Sequence, residues 1–163
     1  MLEQAVENLI DNFCQQKDGY QLLSNLAIRK RAALIKGDLK EIEGITKEER
    51  GIILSLSKLE EDRVKTQSQL AEQFGKQPNE LSLSVLAETV KGPLAEQLTS
   101  VGNDLVNLVV NLREENKTNT TLIEQSLDYI NYAVDLLTDV DDMPTYSNQG
   151  NSSSAARLFD KKI

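Results

Sequence analysis

Few residues in this chain are of types that do chemistry, and their spacing decides what they are for. Paired carboxylates stand at Glu60-Glu61 and Glu114-Glu115, a cluster of acids at Asp139, Asp141 and Asp142, and a single thiol at Cys14. Two carboxylates held at different pKa values can divide general-acid and general-base work, and a thiolate can act as a nucleophile. Both depend on neighbours that tune them, most often histidine, and none occurs among the 163 residues. That removes the Ser/His and Cys/His dyads and the Glu-x-x-His ligand pairs of helical dimetal sites. Glu60 and Glu61 lie beside Arg63, and Glu114 and Glu115 beside Lys117, at helical ion-pair spacing, so both pairs read as solvated salt bridges. The Asp139 to Asp142 cluster lacks the Gly at loop position 6 and the Glu at position 12 that a calcium loop uses. Cys14, next to Phe13, reads as a plain buried or half-buried thiol. The expectation is a protein that is no enzyme, with no cofactor and no metal.

Composition narrows the class further. Aromatic residues are only 4% and Trp is absent, so a core must be built from Leu, Ile, Val and Ala, the diet of a helical bundle. Three Pro and eight Gly leave long uninterrupted stretches of helix-forming residues, and no sheet is expected. Without a strand there is no strand-anchored phosphate loop. The net charge is −8, and the basic residues are interspersed with acidic ones, which argues against nucleic acid and anionic membrane as partners. The N-terminal residues are acidic where a signal peptide is basic, and no stretch approaches the roughly 20 apolar residues of a membrane span, so a cytoplasmic location is expected. A lone cysteine fits a reducing compartment.

These features sit on elements that the apolar periodicity marks out. From Leu2 to Lys36 apolar residues recur at Leu2, Val6, Leu9, Phe13, Tyr20, Leu23, Ala27 and Leu34, along one helix face. Gly37 suits the C-cap, and Asp38 with Glu41 forms the signature of a capping box that opens a short helix. The same device at Thr46 and Glu49 predicts a fresh start, for a helix whose face reads Ile52, Leu56, Leu59, Arg63, Leu70 and Phe74 and which Gly75 and Pro78 stop. A connector follows, with a short helix over Leu81 to Val90 ended at Gly92.

Pro93 fits the first turn of the next helix. From there Leu94, Leu98, Val101, Leu105, Leu108 and Leu112, then Leu122, Ser126, Tyr129, Ala133, Leu136 and Val140, keep one heptad register. Unbroken, residues 93 to 140 would form a helix about 70 Å long at roughly 1.5 Å per residue, which implies an elongated body. Between Arg113 and Thr121 no apolar residue occurs and Thr is frequent, a predicted soft spot. Beyond it Ile123, Leu127, Ile130, Val134 and Leu137 flank the heptad positions, giving more apolar surface than one seam needs. The expected fold is all-α: an elongated, coiled-coil-like antiparallel bundle of three long helices with short connecting helices. Residues 1–140 form its helical domain, and 141–163, polar apart from a small apolar cluster at Leu158, Phe159 and Ile163, a flexible C-terminal tail.

Four segments together resemble one family. Ala33-Leu34-Ile35-Lys36-Gly37-Asp38-Leu39, Leu56-x-x-Leu59-Glu60-x-x-Arg63, Asn116-x-x-Asn119-x-x-Leu122-Ile123-Glu124-Gln125-Ser126-Leu127 and Thr145-Tyr146-x-x-x-Gly150 are similar, in order and over most of the chain, to the FlgN-type flagellar export chaperones. One departure is Thr118, where that family tends to place an aliphatic residue. The resemblance implies a cytosolic, non-enzymatic chaperone for the hook-filament junction proteins FlgK and FlgL, bringing them to the type III export gate. It implies that the C-terminal part binds the client's C-terminal helix and that Tyr146 docks on the gate protein FlhA. On the apolar pattern, client contact falls to Leu122, Ile123, Tyr129, Ile130, Leu136 and Leu137. The competing readings are a structural or self-assembling coiled coil and a chaperone or adaptor for an unrelated secretion substrate.

Overall fold

The structure, a computed structural model, describes residues 2–139. The 141–163 tail and Tyr146 lie outside them, as do Asp141 and Asp142 of the acidic cluster. The described chain is all helical: α1 (Leu2–Lys36), α2 (Leu39–Gln73), a 3-10 turn (Pro78–Glu80), α3 (Leu83–Val90) and α4 (Gly92–Asp139).

The helix ends follow from local backbone chemistry. Gly37, at φ +69°, closes α1 in a left-handed conformation that costs a residue without Cβ nothing. Its amide donates to the carbonyl of Leu34 and that of Asp38 to the carbonyl of Ala33, satisfying carbonyls the helix end would otherwise orphan. Asp38 then caps α2, its Oδ1 accepting from the Glu41 amide at 3.1 Å. No new helix begins at Thr46, because α2 runs through it: the Thr46 hydroxyl donates to the carbonyl of Ile42 at 2.8 Å. A hydroxyl that bonds back into its own helix competes for no cap, so the signature is silent. Gly75 ends α2 with the same pair of amide bonds, to Glu72 and Ala71. The short helix starts two residues later than expected, at Leu83, capped by Ser82, whose Oγ accepts from the Val85 amide. It closes on Lys91 at φ 56°, not on Gly92, which already belongs to α4. α4 is continuous, running through Arg113 to Thr121 without a break.

The contacts of the described residues fall into two compact units, residues 2–25 with 48–112 and residues 26–47 with 113–139. In the first, Val6, Leu9 and Ile10 of α1, Leu70 and Ala71 of α2, Leu81, Leu86 of α3 and Leu98 of α4 form one buried cluster. Gln67 fixes the connector to α2 by donating to the carbonyls of Pro78 and Leu81. Gly102 of α4 packs against Leu83 of α3: a Cβ there would stand 2.4 Å from Leu83 Cδ2, so any larger residue must push that side chain away. In the second unit the buried apolar residues are Leu26, Ala27, Ala33, Ile45 and Ile123, accompanied by buried Lys30 and Asn119.

Candidate functional site

Of the chemistry-capable groups, Glu60 and Glu115 are engaged in ion pairs. Glu60 is held by Arg63 through two contacts of 2.6 and 2.8 Å, and that hydrogen bond keeps its carboxyl below the usual range. Glu115 pairs with Arg31 of α1 instead of the expected Lys117. Cys14 is exposed, a correction to the buried or half-buried thiol the sequence suggested. It stands one turn along α1 from buried Ile10, at the rim of an open groove that Val101 and Asp104 of α4 also line. Among the described residues no group of three or more Cys, Asp or Glu is placed to hold a metal ion.

The surface that stands out is apolar and belongs to the second unit. At its start α4 is well covered: Ile123 is only 9% exposed, and Leu122 and Leu127 are half-buried. After Leu127 no described side chain of α4 is buried. Tyr129 is 72% exposed, Ile130 53%, Leu136 51% and Leu137 73%, joined by exposed Tyr132 and Val134. At about 100° per residue, Tyr129, Ile130, Ala133, Leu136 and Leu137 share one broad helix face, with Asp128 and Asp135 off its edge. Of the six residues assigned to client contact, then, Tyr129, Ile130, Leu136 and Leu137 lie open together, Leu122 borders them, and Ile123 is part of the packing of the unit itself. Isolated exposed apolar residues need no explanation, but a run over three turns of one helix marks a surface that waits for a partner.

What holds this end in place is a polar layer the sequence reading passed over. Asn119 is fully buried and its Nδ2 donates to the carbonyl of Ala27 at 2.9 Å. With the Arg31–Glu115 pair it ties the apolar-free segment of α4 to the end of α1. The signal was present: Glu115 and Asn119 continue the heptad register between Leu112 and Leu122, but a search for apolar residues at those positions skips them. A buried asparagine in such a seam fixes register and partner geometry at some cost in stability.

The family model described as FlgN protein matches residues 1–154. An uncharacterized protein, YvyG, of Bacillus subtilis strain 168 is 28% identical over 147 residues, covering 88% of this chain and 89% of the relative. No solved structure matches. Among the described residues no helix is long and apolar enough to cross a membrane. With nearly the whole chain covered by its model, the chain belongs to the FlgN family, a family of chaperones.

Proposed function

We propose that this chain is a cytoplasmic, non-enzymatic flagellar type III export chaperone that binds the C-terminal helix of FlgK and FlgL and delivers them to the export gate. The observation that carries this reading is the open apolar face at the end of α4, in a chain of the FlgN family. An amphipathic client helix laid on Tyr129, Ile130, Leu136 and Leu137 would bury on both partners the surface most prone to aggregate. Leu122 and Ile123 border the site at its packed end and set the direction in which α4 projects from the unit. The three long helices act as an antiparallel bundle over residues 1–140 that presents this end. Residues 141–163 carry Tyr146, whose ring and hydroxyl suit a shallow pocket on FlhA. No cofactor, metal or nucleic acid takes part.

Ile130→Asp tests the assignment. The side chain is exposed, so the substitution leaves folding intact by circular dichroism, and affinity for FlgK falls at least ~30-fold, the loss of a binding hot spot. Tyr146→Ala leaves FlgK binding unchanged and weakens capture by the cytoplasmic part of FlhA. Undiminished FlgK binding by Ile130→Asp overturns the reading.

A further inference from the structure

A second apolar patch stays open in the same compact unit, and its pattern matches the client face. Ile28, Ala32 and Ile35 follow one another at i, i+4 and i+7 on α1, all exposed, with Ile35 at 70%; Leu39, at the start of α2, is 79% exposed. On α4, Tyr129, Ala133 and Leu136 repeat the same spacing, again a large residue, alanine, then a large residue. Two such stripes interlock, since each central alanine leaves a hollow that a large side chain of the other helix fills.

The charges beside the stripes are opposite. Between Arg29 and Lys40 the chain carries five basic residues and one acid, Asp38. Arg29 and Arg31 are paired with Glu41 and Glu115, and the Asp38 carboxylate accepts the Glu41 amide, while Lys36 and Lys40 stand exposed. From Thr118 to Asp139 there is no Lys or Arg, and Glu124, Asp128, Asp135 and Asp139 are acidic. Lys36 lies beside the α1 stripe as Asp135 lies beside the α4 stripe. Both stripes are open in one chain, so neither covers the other there.

We infer that the occupant of the α1 stripe is the α4 end of a second copy of this chain, in a reciprocal pairing where each copy's Tyr129–Leu136 stripe packs on the other's Ile28–Ile35 stripe. A contact of this kind is self-complementary and closes at two copies. It covers both apolar patches in the free protein. Its consequence, which rests on the client reading above, is that FlgK competes with self-association for α4.

Light scattering across a concentration series on the full chain reads the pairing. The wild-type protein shifts from monomer to dimer mass, and the shift weakens with added salt as the Lys36 and Asp135 charges are screened. Ile35→Asp and Leu136→Asp, both at exposed positions, are each monomeric and folded. Mixed in equal amounts they associate, because the intact α4 stripe of one meets the intact α1 stripe of the other. Ile35→Asp still binds FlgK with undiminished affinity. The inference is overturned by a wild-type protein monomeric up to about 100 μM, well above the Kd of a specific contact, by a mixture that stays monomeric, by open-ended assemblies, or by loss of FlgK binding in Ile35→Asp. If wild type binds no FlgK while the mixture associates, the client reading fails and the pairing stands.

Discussion

Residues 2–25 with 48–112 and residues 26–47 with 113–139 form units built on different principles. The first draws Val6, Leu9, Ile10, Leu70, Ala71, Leu81, Leu86 and Leu98 from α1, the connector and the other three helices into one apolar cluster. The second closes over few apolar side chains, two of them alanine, and relies on buried Lys30 and Asn119 and on the Arg31–Glu115 pair. Apolar burial scales with area and supplies most of a domain's stability, whereas buried polar contacts add little net energy and much geometric definition. One unit is thus equipped to be stable and the other to hold the end of α4 in a set direction with its apolar face uncovered.

The contrast predicts unequal responses to substitution. Leu70→Ala, in the first unit, removes a fully buried side chain from a tight cluster and costs about 2–5 kcal/mol in urea unfolding. A cost under about 1 kcal/mol would mean that the cluster is not the main source of stability. Asn119→Leu, in the second unit, exchanges a buried amide for an apolar side chain of similar volume. Stability stays within about 1 kcal/mol of wild type, but amide spectra of residues 113–139 broaden as the register loses its lock. Sharp, single resonances would show that packing alone sets the register. The smallest effect is electrostatic. The Arg63 hydrogen bond lowers the Glu60 pKa, so its contribution is present above the unfolded carboxyl value near 4.3 and is lost as pH falls through the folded value. Glu60→Gln therefore lowers the melting temperature slightly at pH 7, and the difference from wild type closes as pH falls below about 4. Because Glu60 is half exposed, solvent keeps the effect slight.

Much of this was legible in the residues. Gly37, Asp38, Gly75 and Pro93 marked real helix boundaries because each acts locally, the Gly and Pro through their own backbone geometry and Asp38 through the Oδ1 that accepts from the Glu41 amide. Of the apolar face marked out on α1 from Leu2 to Leu34, Val6, Leu9, Leu23 and Ala27 are buried. Thr46 misled because a threonine before Glu49 looks the same whether its hydroxyl caps a new helix or bonds back into an existing one, and only the surrounding packing, including fully buried Ile45, decides. The stretch from Arg113 to Thr121 looked weak because apolar periodicity cannot register a seam that passes through Glu115 and Asn119. Ile123 and Ile130 both flank the heptad seam, and nothing in their spacing says that one is covered and the other open. The basic bias between Arg29 and Lys40 was diluted in a chain of net charge −8 and emerges only once two of its residues are seen to be paired and two exposed.

Hydrogen exchange on the chain alone and saturated with full-length FlgK tests the client surface most directly. In the free protein the amides of residues 128–138 exchange faster than those of the Val6, Leu70 and Leu98 cluster. With FlgK bound, protection rises over residues 128–138 and leaves that cluster unchanged, and FlgK lacking its C-terminal helix gives no protection. Protection confined to residues 1–25 or 48–112, or none with full-length FlgK, would contradict the assignment of the α4 end as the client surface.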